Sequence, residues 1–70
     1  MRSIKEITKE EIDHVNDILE DEYYYNDYMR LNTAQDIQYQ CFTKSHAVYS
    51  GEGIVKVYEY LKSKGINIFV

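Results

Sequence analysis

Seventy residues with a net charge of −4 suffice for one small domain and are too few for a large catalytic cleft between domains. Leu, Ile, Val and Phe make up 18 of the 70 residues, enough to argue against disorder, and eight tyrosines supply much of the remaining apolar content. The single cysteine, Cys41, excludes an internal disulfide and a multi-cysteine zinc site, and it fits a reducing, cytoplasmic setting. No signal-peptide h-region, membrane-length apolar run or Gly/Ser-rich linker is visible, so 1–70 reads as a single domain.

In chain order, Arg2–Ile7 alternates weakly and predicts a short extended segment. Thr8-Lys9-Glu10-Glu11 is a capping box, with Ile7 and Ile12 placed for a hydrophobic staple, so a helix is expected to start at Lys9. Its buried stripe is Ile12, Val15, Leu19 and Tyr23, widened by Ile18, and it can run to about Tyr25 or through Tyr28. Asn32-Thr33, with Asp36 following, offers a second N-cap, and Ala34, Ile37 and Cys41 predict a helix over about 34–43. His46-Ala47-Val48-Tyr49 fits a strand or an irregular loop, and Gly51-Glu52-Gly53 a turn. Ile54, Val57, Tyr58 and Leu61 give a helical face ending at Lys62, Lys64 and Gly65, although the β-formers in this stretch also allow a strand. Ile66–Val70 predicts a terminal strand, whose partner could be Arg2–Glu6, His46–Ser50 or a second copy of the chain. The fold class is therefore α+β: a small domain with helices near 9–28, 34–43 and 54–64 and one or two short strands. A mainly helical domain with an extended tail is the alternative.

Charge is segregated along the chain. Residues 10–28 hold eight acids and no Lys or Arg, whereas the remainder carries eight basic groups against four acids. This argues against direct nucleic-acid binding, which needs a basic face. At roughly 100° per residue, Glu10, Asp13, Asp17, Glu20, Asp21 and Asp27 share one side of the first helix, opposite the apolar stripe. Their spacing is comparable with that of phosphates along a nucleic-acid strand, as in acidic proteins that mimic DNA. A solvated helix face is the plainer reading, but such faces usually mix signs because like charges at i, i+4 repel. The Tyr23–Tyr28 cluster follows, and three successive tyrosines on a helix cannot all face one core; Tyr24 and Tyr28 are candidate interface anchors.

His14, Cys41 and His46 show neither metal-ligand spacing nor a nucleophile arrangement, so no catalytic, metal or cofactor site is expected. Cys41 reads as a small buried apolar residue and His14 as solvated beside the acids. Gly51-Glu52-Gly53-Ile54, opening a helix that leads into Ile66–Val70, resembles the cofactor-binding segment of the GNAT acetyltransferase superfamily. The resemblance implies an acyl-CoA-binding fragment, but Val48 stands where that family has Arg or Gln, and helix initiation explains the glycines. The function expected is non-enzymatic protein binding. The sharp form is a small inhibitor or adaptor of the phage or mobile-element type that docks through Glu10, Asp13, Asp17, Glu20, Asp21, Tyr24, Asp27 and Tyr28 on a protein with a basic site. An unneighboured terminal strand also predicts a homodimer. A degenerate acyl-CoA binder and a self-associating structural module are the rival classes.

Overall fold

The computed structural model describes residues 1–22, 30–43 and 51–69. Strand β1 (Arg2–Ser3) leads into a 3-10 turn (Ile4–Glu6), then helix α1 (Lys9–Glu22), helix α2 (Ala34–Ile37) continued by a π turn (Gln38–Phe42), helix α3 (Glu52–Ser63) and strand β2 (Ile66–Asn67). The two strands pair in parallel, Arg2 beside Ile66 and Ser3 beside Asn67. A small α+β domain results, as the sequence predicts. α1 packs on α3, α3 on β2, and α2 on the 3-10 turn.

Three capping boxes set the starts of these elements. Ser3 Oγ accepts from the turn's backbone, and Glu6 Oε1 accepts from Ser3 N at 3.0 Å. Thr8 Oγ1 accepts from Glu11 N at 3.1 Å while Glu11 Oε1 accepts from Thr8 N at 3.0 Å. Thr33 and Asp36 repeat the pattern at α2. Each box satisfies backbone N–H groups that have no partner within the helix. The first corrects the extended reading of Arg2–Ile7: Ser3-Ile4-Lys5-Glu6 is itself a cap signature, so extension stops after Ser3.

That early turn also limits the terminal strand. β1 offers only two residues, so β2 is Ile66–Asn67 rather than Ile66–Val70, and Ile68 and Phe69 turn away from it; Val70 lies outside the described residues. β2 has a partner within the chain, the neighbour whose absence motivated the expected dimer. Residues Glu52–Ser63 form a helix, not a strand. Gly53 lies buried in its first turn, so only Gly51, at φ 87°, remains of the expected three-residue turn. Gly65, at φ 71°, ends the helix in a conformation that L side chains rarely adopt. The expected extension of α1 beyond Glu22, the burial of Tyr23 and the possible strand at His46–Tyr49 lie outside the described residues.

The core is Ile4, Val15, Leu19, Leu31, Ile37, Cys41, Val57, Leu61, Ile66 and Ile68, one contiguous cluster drawn from the 3-10 turn, the three helices, the π turn and β2, with Leu31 and Ile68 from flanking segments and nothing from β1. Within it Asn16 is fully buried. Its Nδ2 donates to Leu31 O at 2.8 Å and to Ile12 O at 3.2 Å, and its Oδ1 accepts from Leu31 N at 2.9 Å. The side-chain amide thus pairs with Leu31's backbone as a neighbouring strand would, and it docks the segment before α2 against α1. Asn16→Leu leaves both backbone groups of Leu31 unpaired in the core. It should lower unfolding free energy by at least about 2 kcal/mol, read from urea denaturation; a loss well under that would mean Leu31 is not held by this residue. Thr8→Ala should cost about 1 kcal/mol by removing one cap acceptor, and an unchanged denaturation midpoint would refute the cap's contribution.

Candidate functional site

The acidic helix α1 is fixed at its N-terminus by Glu11. Besides capping Thr8, its carboxylate accepts from both terminal nitrogens of Arg2, at 2.7 and 2.8 Å. The Arg2 hydrogen bonds, with Thr8 assisting and burial opposing, hold this carboxyl far below its usual range, at about 2. Glu11 is therefore a structural acid and turns inward.

The other acids of the stretch divide into two groups. Asp13 is half-buried and paired with Lys9 at 3.3 Å and Arg30 at 2.9 Å; hydrogen bonding from Lys9 first, then Arg30, lowers its pKa. Glu22 pairs with Lys56 of α3. By contrast Glu10, Asp17, Glu20 and Asp21 are exposed and have no ion-pair partner among the described residues. Of the predicted partner-binding residues, α1 thus brings these four to one face and takes Asp13 out of it as an uncompensated charge. Tyr24, Asp27 and Tyr28 lie outside the described residues. Along the axis, Glu10 and Asp17 are separated by about 10 Å and Asp17 and Asp21 by about 6 Å.

His14, on the flank of this face, is exposed and stacks on Tyr60 of α3 with ring centroids 4.0 Å apart and planes 19° apart. Lys64 lies over the other part of that contact, 5.7 Å from the Tyr60 centroid. Sequence reasoning placed His14 beside the acids but missed the ring beneath it, because Tyr60 is 46 positions away. Cys41 is buried, and burial pushes its thiol up to about 12, which makes it unreactive at neutral pH. Among the described residues no group of His, Cys, Asp and Glu is arranged to hold a metal ion. Nor is any helix among them long and apolar enough to cross a membrane.

No protein-family model, no curated protein and no solved structure matches this chain.

The Arg2–Glu11 geometry makes a pH prediction. Glu11's pKa is depressed in the folded chain, so its stabilising contribution is complete above its ordinary value of 4.5 and is lost as pH falls from there towards about 2. Wild-type stability should fall across that window. Glu11→Gln should be less stable at neutral pH and should flatten this part of the profile; parallel profiles for the two proteins would refute the assignment.

Proposed function

We propose that this chain is a non-enzymatic protein-binding module whose α1 face docks on a basic site of a partner protein. The observation that carries the reading is the division of acids just described. Glu11, Asp13 and Glu22 are matched by cations from other parts of the chain, while Glu10, Asp17, Glu20 and Asp21 stand together on one face unmatched among the described residues. Four like charges on one helix face repel one another. A basic surface relieves that repulsion and is steered towards it over a distance of about one Debye length, ~8 Å at physiological salt. The sharp form of the proposal is an inhibitor or adaptor that occupies a nucleic-acid-binding groove, with the carboxylates standing in for phosphates. Tyr24 and Tyr28 follow the acids in sequence and suit the role of apolar anchors.

The test is a pull-down with immobilised wild-type chain and with a variant carrying Glu10→Gln, Asp17→Asn, Glu20→Gln and Asp21→Asn. All four positions lie outside the core, so the variant should fold and its stability should hold or rise slightly. The wild type should retain a basic protein that salt elutes and that double-stranded DNA displaces, and the variant should lose it. Equal retention by both chains would leave the face as solvated surface and defeat the proposal.

A further inference from the structure

A second surface has the opposite character. Two grooves, of about 570 and 260 Å³, meet at Phe69, which lines both and is 75% exposed. Lys5 and Tyr39 line the larger, Lys62 and Tyr58 the smaller, and the two tyrosines are each nearly half exposed. In a chain with twelve acids, no described carboxylate lines either groove. Lys5 and Lys62 also have no ion-pair partner among the described residues, nor has Lys64, which lies over Tyr60 and lines neither groove, whereas Arg2, Lys9, Arg30 and Lys56 each have one.

The walls are firmly built. The π turn widens the chain at Gln38–Phe42, Thr43 Oγ1 donates to Gln38 O at 2.9 Å, and Gln38 Nε2 donates across to Ile68 O at 2.9 Å. Turns of this type are rare and frequent at functional sites. The larger groove falls within the ~300–1,000 Å³ range of ligand-binding clefts. Three exposed rings flanked by two unmatched cations call for a ligand that is apolar in the middle and negative at its ends.

We propose that these grooves form a second binding site, for a peptide segment of a partner protein that carries an apolar or aromatic side chain between acidic residues. Phe69 divides the site, the rings of Tyr39 and Tyr58 flank it, and Lys5 and Lys62 receive carboxylates on either side. Charge complementarity chooses this occupant: a basic segment meets two lysines and no acid, and an uncharged one leaves both lysines unmatched. The site shares no residue with the acidic face of α1.

The test is an amide-resolved NMR titration of the full chain with acetyl-Glu-Leu-Phe-Glu-amide, against acetyl-Lys-Leu-Phe-Lys-amide as the control. The acidic peptide should shift residues around 5, 35–43 and 58–69 and should bind more tightly than the basic one. Phe69→Ala should weaken it about tenfold, in keeping with loss of a central aromatic anchor. Lys5→Glu together with Lys62→Glu should reverse the preference between the two peptides. These side chains stand outside the core, so unchanged denaturation midpoints separate lost binding from lost fold. Neutralising the four acids of α1 should leave acidic-peptide binding in place, which keeps this test apart from that of the acidic face. Equal affinity of the two peptides at these residues, acidic-peptide shifts centred on α1, or no binding at millimolar acidic peptide would overturn the proposal. So would concentration-dependent self-association abolished by Phe69→Ala, which would give the grooves to a second copy of the chain.

Discussion

Arg2 joins the parts of this fold that no local rule would bring together. Its backbone N–H donates to Gly65 O at 2.8 Å, which begins the pairing of the two strands. Its guanidinium grips Glu11 through two hydrogen bonds and also donates to Glu6 O at 3.1 Å. One residue thus links β2, the 3-10 turn and the cap of α1. A parallel pair of two-residue strands is too short to be stable by itself. It persists because buried Ile4, Ile66 and Ile68 pack beneath it and the Arg2–Glu11 pair fixes its approach to α1. Glu11 is only slightly exposed, so removing Arg2 would leave an uncompensated carboxylate near the core, and the pair's geometry matters more than its count.

What was legible in the sequence was local. Thr8–Glu11 and Thr33–Asp36 are four-residue signals, and both appear as capping boxes. The spacing of Val15 and Leu19, and of Val57 and Leu61, placed the buried faces of α1 and α3, because a 3.6-residue period survives any tertiary context that has one core. Ser3–Glu6 was equally legible, but the alternation around it suggested extension. The π turn was not legible, since nothing in Gln38-Tyr39-Gln40 distinguishes it from a regular helix. The apolar spacing of α1 passes over Asn16. Its burial follows from meeting Leu31, fifteen positions away, and a period cannot reveal a partner at that distance.

The charge pattern makes the same distinction between chain and space. A run without Lys or Arg looks like an uncompensated acidic block. Folding brings Arg2, Lys9, Arg30 and Lys56 onto three of its members, and the exposed remainder is smaller and more sharply defined. The candidate face is thereby reduced to positions whose charge has no evident structural use. The converse holds for the lysines. Arg2, Lys9, Arg30 and Lys56 are matched; of the three described lysines without an ion pair, Lys64 lies over Tyr60, and Lys5 and Lys62 lie at the grooves around Phe69, contributed by segments some sixty positions apart. No reading of sequence periodicity could have assembled them.

The two surfaces place different demands on a partner because the chain as a whole is negative. A basic protein approaching α1 is attracted by both the local face and the net charge of −4, so its association draws on the long-range field and is sensitive to salt. An acidic segment approaching Phe69 is repelled at long range and attracted only once the lysines lie within about a Debye length, ~8–10 Å. Screening then weakens the repulsion and the attraction together, and salt should have little net effect. Retention at that surface must come from the desolvated contact of Phe69, Tyr39 and Tyr58 rather than from charge, with Lys5 and Lys62 selecting among apolar segments. The protein's extents, 32 × 26 × 20 Å, are comparable with the ~30 Å screening length at 0.01 M salt. The surfaces are therefore not electrically independent at low salt, and a basic partner bound on α1 would remove part of the repulsion that an acidic segment meets. Coupling of that kind needs no conformational change: neutralising one face alters the field at the other.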